Sequence, residues 1–172
     1  MADLATLQLA QMIYGENASE DYDTMVMTGS SALNRLEAER PQEFGATLPE
    51  VLQKGYYAVS KNSPMYQQAV SGQFPDEKSE QKFKQALQIS YGLQKGTIER
   101  REGEFFFKKG EAKGLRKKLN FIEKVGQYDV YGYEKPKSSV PFKEAFKSAR
   151  EQGLDVFEWS GKKYNTKLKS QE

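Results

Sequence analysis

The stretch Tyr14–Leu36, YGENASEDYDTMVMTGSSALNRL, places a carboxylate, Glu16, directly after an apolar run and a glycine. An amphipathic segment follows it. The apolar and small positions of this segment recur at spacings of three and four, which predicts a helix with one inward face. That face consists of Tyr22, Val26, Gly29, Leu33 and Leu36. A core helix does not need a carboxylate just before it, so Glu16 is a candidate catalytic residue.

The neighbouring segments predict a second helix and a close contact. Leu4 to Tyr14 has helical spacing and follows Asp3, a residue type that caps helices. Gly15 is a plausible helix stop or sharp turn. The amphipathic helix is expected to open at Glu20-Asp21, where acidic residues suit the helix dipole, and Pro41 is expected to end the unit. Glycine in its middle, at Gly29, favours a close approach of two helices.

The rest of the chain predicts further helices and a few short strands. The expected helices run from Thr47 to Leu52, from Met65 to Val70 and from Ser79 to Lys95, and Gly55 to Val59 reads as extended or loop. The expected ordered or strand segments are Glu104–Phe107, Leu119–Val125 and Tyr128–Tyr133. The fold class is therefore α+β and mostly helical, with a groove rather than a doubly wound sheet.

Composition excludes several kinds of chemistry. The 172 residues contain no His and no Cys, which removes Ser-His-Asp, Cys-His and His-ligated zinc sites. The 26 Lys and Arg nearly balance the 24 Asp and Glu, so no nucleic-acid partner is expected. The basic run Lys108–Lys118 is either a solvated face or a surface for an anionic polymer. No segment approaches the ~20 apolar residues of a membrane helix, and the N-terminus lacks the basic region of a secretory signal.

Carboxylates alone can cleave a glycosidic bond, since a carboxylic acid protonates the leaving oxygen. The acid must hold its proton near neutral pH, and an apolar setting achieves this by raising its pKa. Glu16 follows Met12-Ile13-Tyr14, so such a setting is plausible. The alternative is a solvent-exposed charge at a helix end, which is the commoner role of a lone Glu.

The stretch Tyr14–Leu36 also closely resembles the start of the SleB/CwlJ-type cell-wall hydrolases, the spore-cortex-lytic enzymes whose domain many phage lysins share. The family pattern is roughly Y-G-E-A-x-G-E-x-x-x-G-x-x-A-V-x-x-V-x-x-N-R. Tyr14-Gly15-Glu16 and Glu20 match it without a gap, and Asn34-Arg35 falls on the N-R pair. Weaker similarity continues to Tyr133, through Gly55–Ala58, Glu104–Phe107 and Val125–Tyr128.

The resemblance implies a lysozyme-like domain, with small helices around a saccharide groove and a small β element on one side. It implies cleavage of peptidoglycan between N-acetylmuramic acid and N-acetylglucosamine, often as a lytic transglycosylase, with no metal and no cofactor. The catalytic acid of the family falls on Glu16. The chain departs from the pattern at Asn17, where the family has Ala, at Tyr56-Tyr57, where it has Gln-Phe, and at Tyr128, where it has His.

Other candidate site residues have either a functional or a purely structural role. Glu20 is either a second active-site carboxylate or a helix-terminal charge. Tyr56 and Tyr57 either stack on sugars or pack in the core. Phe106 is expected to line the groove while its neighbours on the strand face the core. Asn34 and Arg35 are expected to support the groove wall or the loop of Glu16.

The domain organisation predicted is a catalytic domain over residues 1–134, a linker over 135–140 and a small module over 141–172. The module has a helical stripe (Phe142, Ala145, Phe146 and Ala149), a stop at Gly153 and a hairpin around Ser160-Gly161. Its pattern resembles a short terminal module of phage virion proteins. A unit this small buries little core, so we expect it to dock on another virion protein or on the catalytic domain.

These observations favour a phage-borne muralytic enzyme that acts on peptidoglycan with Glu16 as general acid/base, carried in the virion, in a tail or internal position, or released as an endolysin. The alternative is a structural or plug-like virion component that kept the fold and lost the activity. An amidase or peptidase is less favoured because His and Cys are absent.

Overall fold

Helices make up most of the residues that the computed structural model describes, which are 3–133, 142–159 and 162–166. The chain divides into two units, Met1–Tyr133 and Glu134–Glu172. The first unit is α+β and mostly helical, with a small antiparallel sheet, as predicted. Its helices are α1 (Leu4–Asn17), α2 (Tyr22–Glu37), α3 (Pro41–Phe44), α4 (Leu48–Gly55), α5 (Tyr57–Ser60), α6 (Pro64–Ser71), α7 (Glu77–Lys95) and α8 (Lys113–Arg116). Its strands are β1 (Phe105–Lys108), β2 (Asn120–Val125) and β3 (Tyr128–Gly132).

Helix α1 forms the centre of the first unit. Its apolar run is fully buried, because α2, α6 and α7 all pack against it. Asp3 caps it as predicted, accepting a hydrogen bond from the Thr6 amide at 2.8 Å. Gly15 does not end the helix, which continues to Asn17. The missing side chain instead allows close packing, since a Cβ on Gly15 would lie 2.9 Å from the Cβ of Ala58 and 3.1 Å from that of Tyr66.

Helix α2 carries the predicted amphipathic segment, with two corrections. It begins at Tyr22 after its cap Asp21 and ends at Glu37, and Pro41 opens α3 rather than ending α2. Proline is favoured in the first turn of a helix because an N–H at that position would have no partner within the helix. Tyr22 is 44% exposed, so the inward face starts at Val26. Gly29 confirms the expected close approach, since a Cβ there would lie within 2.8 Å of side chains of both Ile13 and Leu93.

The segment predicted as extended after α4 contains a helical turn. Only Tyr56 has an extended backbone, and Tyr57–Ser60 forms the one-turn helix α5. The amides of Ser60 and Lys61 bond the carbonyls of Tyr56 and Tyr57 at 3.0 and 2.9 Å. This turn directs the adjacent side chains of Tyr56 and Tyr57 differently, which matters for the site.

The three strands form one antiparallel sheet in the order β1-β3-β2. Phe106 pairs with Val130, and Lys108 pairs with Tyr128. One face packs Phe106, Tyr128 and Val130 with Met27 of α2. The other face sends Phe105 and Tyr131 into the main core. The predicted alternation of Phe105 and Phe106 between the two faces is confirmed.

The second unit consists of helix α9 (Phe142–Glu151) and a hairpin of β4 (Val156–Trp159) and β5 (Lys162–Asn165). The ring of Phe142 lies 4.9 to 5.8 Å from those of Phe157, Trp159 and Tyr164. Gly153 has a φ of +70°, and the Leu154 amide bonds the Ala149 carbonyl at 3.0 Å, which confirms the predicted helix stop. The predicted linker, residues 135–140, and the turn at Ser160-Gly161 lie outside the described residues.

Within the described ranges, none of the helices combines the length and the apolar character needed to span a bilayer.

The close packing at Gly15 predicts that Gly15→Val lowers the free energy of unfolding by about 1–3 kcal/mol, because overpacking displaces α5 and α6. Thermal unfolding measures the effect. Gly114→Val is the matched control, since nothing lies within 4 Å of a Cβ built at Gly114. Equal midpoints for the two variants would contradict the close contact of Gly15 with α5 and α6.

Candidate active site

Glu16 lies in the last turn of α1, where its side chain is partly buried. Its Oε1 accepts a hydrogen bond of 2.6 Å from the amide of Ala58 in α5. Burial raises the pKa of the Glu16 carboxyl, while the Ala58 hydrogen bond and the charge of Arg35 act in the opposite direction with less effect. The carboxyl therefore keeps its proton to a higher pH than an ordinary glutamate, as a general acid requires.

Tyr128 bonds Glu20, and the charge of Glu16 acts on it. Its hydroxyl donates to Glu20 Oε1 at 3.4 Å, and Gln127 Nε2 donates to the same oxygen at 2.8 Å. Burial and then the negative charge of Glu20 raise the pKa of Tyr128 to about 12, and the charge of Glu16 adds to this effect. The phenol thus remains a hydrogen-bond donor at neutral pH. The sequence identified Tyr128 only as a departure from the family pattern and did not identify it as a site residue.

Phe106 lies beside Tyr128. The two rings meet edge to face with centroids 5.6 Å apart, and the Phe106 ring is 6.4 Å from that of Tyr56. The Lys108 Nζ lies 5.5 Å from the centre of the Tyr128 ring. Glu20, Phe106 and Tyr128 thus form one cluster, and the charge of Glu16 acts on it.

The adjacent tyrosines of the α4–α5 junction have opposite surroundings. Tyr56 is 2% exposed, and its hydroxyl shares a 2.6 Å hydrogen bond with Ser31 Oγ. Tyr56 therefore packs in the core, the alternative that the sequence left open, and offers no face to a sugar. Tyr57 is 71% exposed, next to the Ala58 amide that bonds Glu16.

Arg35 of α2 connects the end of α4 and the start of β1. Only 8% of the residue is exposed. Its Nε donates to the Glu104 carbonyl at 2.6 Å, and its Nη1 donates to the Gly55 carbonyl at 3.1 Å. Its guanidinium lies 4.9 to 5.5 Å from the ring centres of Phe44, Tyr56 and Phe105. A Cβ on Gly55 would lie 2.1 Å from Nη1, so this approach requires glycine.

Asn34 holds the segment that leads into β1. Its Nδ2 donates to the carbonyls of Arg101 and Gly103 at 2.9 and 2.8 Å. Asn34 and Arg35 together therefore anchor α2 to residues 101–104 and to the end of α4. In the described structure, neither of them has a hydrogen bond to Glu16.

Asn17 bonds a side chain of α2. It is buried, and its Nδ2 donates to Thr28 Oγ1 at 2.7 Å. The Asn that departs from the family pattern thus ties the end of α1 to α2.

No family model matches the chain, and no significant match is found among curated proteins or solved structures.

The raised pKa of Glu16 predicts a pH-dependent difference in stability between the wild type and Glu16→Gln. Folding favours the protonated carboxyl, so its contribution is present below the ordinary pKa of 4.5 and is lost as pH rises through the folded pKa. Gln stays neutral and can still accept the Ala58 hydrogen bond. Glu16→Gln is therefore expected to unfold at a higher temperature at pH 7, by a few degrees.

Calorimetry across pH measures this difference, which should shrink as the pH falls below about 4.5. Glu39→Gln provides an exposed control with the same change of charge. A Glu16→Gln variant that is less stable than the wild type at neutral pH would contradict the burial effect.

Proposed function

We propose that this protein cleaves the glycan strands of peptidoglycan between N-acetylmuramic acid and N-acetylglucosamine, with Glu16 as general acid/base. The observation that carries the proposal is the partly buried carboxyl of Glu16, whose pKa burial raises, and whose charge acts on a cluster with a second carboxylate and two aromatic rings. The match of Tyr14–Arg35 to the SleB/CwlJ-type pattern supports it. The groove is proposed to be lysozyme-like, with the sheet as its β side.

The reaction proposed is a lytic transglycosylation, which one carboxylic acid can run. Protonated Glu16 donates to the glycosidic oxygen as the bond from C1 of muramic acid to that oxygen breaks. The carboxylate then takes the proton of the muramic acid 6-hydroxyl, whose oxygen attacks C1 and closes a 1,6-anhydro ring. The proton returns to Glu16 and no water is consumed.

The surroundings of Glu16 suit both halves of this cycle. Burial favours the acid that begins the reaction. The Ala58 amide and the charge of Arg35 favour the carboxylate that forms midway. General acid/base catalysis requires a group that can lose and regain a proton near the working pH, and the raised pKa brings Glu16 towards that range.

Glu20 and Tyr128 are proposed to act on the sugar ring. A carboxylate near the ring stabilises the positive charge that develops at C1 in the transition state. In a hydrolase the same carboxylate would activate water instead, and the product would carry a free reducing end. Exposed Tyr57 and half-buried Phe106 are the aromatic side chains proposed to contact saccharide.

The protein is proposed to act from a phage virion, with residues 141–172 docking on other virion proteins. The aromatic cluster of Phe142, Phe157, Trp159 and Tyr164 and the resemblance to virion modules support this. The catalytically silent plug remains the competing hypothesis. Retention of Glu16 and of the Tyr14–Arg35 pattern argues against it.

Mass spectrometry of the soluble products from purified peptidoglycan tests the proposal. The wild type should release anhydro-muropeptides, and Glu16→Gln should lower the rate by about 10²-fold or more because it cannot donate the proton. Glu39→Gln should match the wild type.

The products also separate the competing mechanisms. Hydrated, reducing-end products would contradict transglycosylation and would indicate a hydrolase with Glu20 as the second carboxylate. No cleavage by the wild type would contradict the enzyme hypothesis and favour the structural one.

A further inference from the structure

A cavity of about 250 Å³ opens beside Arg35, on the surface formed by α3, α4 and the start of β1. Its lining combines cations with aromatic rings. The residues around it are Arg35, Glu43, Phe44, Lys54, Gly55 and Phe105. Neither Glu16 nor the cluster around Tyr128 lines this cavity, so it is a separate feature of the first unit.

The guanidinium of Arg35, which lines this cavity, has N–H donors that no described residue accepts. It carries five N–H groups, of which one on Nε and one on Nη1 bond carbonyls. Nη2 has no hydrogen-bond partner among the described residues. Among the described residues, Arg101 Nε is the only fully buried side-chain nitrogen or oxygen that lacks a hydrogen-bond partner. The unpartnered Nη2 of Arg35 is therefore not one of the fully buried atoms, although the residue is only 8% exposed.

Lys54 adds a second positive charge at the rim. Its Nζ lies 3.4 and 3.5 Å from the carbonyls of Pro41 and Gln42, which are long contacts for hydrogen bonds. It has no ion-pair partner in the described ranges. The one carboxylate that lines the cavity, Glu43, pairs instead with Arg40 at 3.5 Å and accepts from the Tyr133 hydroxyl. The lining is therefore net positive.

The rings of Phe44 and Phe105 form the apolar part of the lining. Their centroids are 5.6 Å apart, so both border the same small space. A ligand site typically combines such an apolar wall with a few convergent polar groups. A carboxylate matches the planar fork of a guanidinium. The two rings offer a short apolar body a wall to pack against.

We propose that this cavity binds a small carboxylate with a short apolar body, of the kind presented by a C-terminal alanine. Arg35 Nη2 and Lys54 Nζ hold the carboxylate, and the methyl group lies against Phe44 and Phe105. The assignment of this group to the stem peptide of peptidoglycan rests on the proposed function. The binding itself does not.

Nuclear magnetic resonance of the full chain tests the binding, with N-acetyl-D-alanine as the probe. The guanidinium ¹⁵N signals of Arg35 and the amide of Gly55 should shift in a saturable way, with a dissociation constant on the order of 1 mM. The neutral analogue N-acetyl-D-alaninamide should produce no saturable shift, because it lacks the charge.

Substitution of the exposed cation avoids any loss of the fold. Lys54→Gln should weaken binding by about twofold to fivefold, as expected for a partly solvated ion pair. Lys78→Gln, an exposed lysine of α7, is the matched control and should bind like the wild type.

Saturation by the neutral amide, no saturable shift with the acid, or equal affinities of the two lysine variants would each overturn the site. Binding without any glycan cleavage would overturn the proposed function and leave the carboxylate site standing. Cleavage without binding would overturn the carboxylate site and leave the proposed function standing.

Discussion

The buried guanidinium of Arg35 is the constraint on which the rest of the site depends. A cation with 8% exposure is costly unless its donors are bonded and its charge is compensated. Two carbonyls and three aromatic rings supply that compensation. The carbonyls belong to Gly55 and Glu104, so one side chain of α2 fixes both the α4–α5 junction and the start of β1.

That junction carries the chemistry proposed for the protein. Because Gly55 is held by Arg35, the amide of Ala58 three residues later lies against Glu16. Glu104, held by the same group, directly precedes β1, in which Phe106 lies beside Tyr128. The Tyr128 hydroxyl in turn donates to Glu20. The two halves of the proposed groove, one helical and one from the sheet, are therefore positioned by a common anchor.

Local features of the fold could be predicted from the sequence, and contacts between distant segments could not. The cap of α1 at Asp3 and the alternation of Phe105 and Phe106 depend on neighbours in the chain, and both are confirmed. Gly15 has the same local signature whether it ends a helix or allows two helices to touch. Only the packing of α5 and α6 against α1 decides between these roles.

The candidate site shows the same division. Glu16 stands out in the sequence because its surroundings in the chain are apolar. Tyr56 and Tyr57 are identical and adjacent, yet one is buried and the other exposed. The backbone changes from extended at Tyr56 to helical at Tyr57, which gives the two side chains different environments. Tyr128 meets Glu20 across 108 residues of chain. No local pattern links these two residues, and the same is true of the cavity beside Arg35.

The proposed reaction requires the fold to give Glu16 the protonation behaviour of a general acid. The most direct measurement is the pH titration of its side-chain carboxyl carbon by ¹³C nuclear magnetic resonance, with the signal assigned by its loss in Glu16→Gln. A midpoint clearly above the ordinary value of 4.5 is the predicted result. A midpoint at or below that value would show that Arg35 and the Ala58 amide outweigh burial, and it would contradict the proposed reaction.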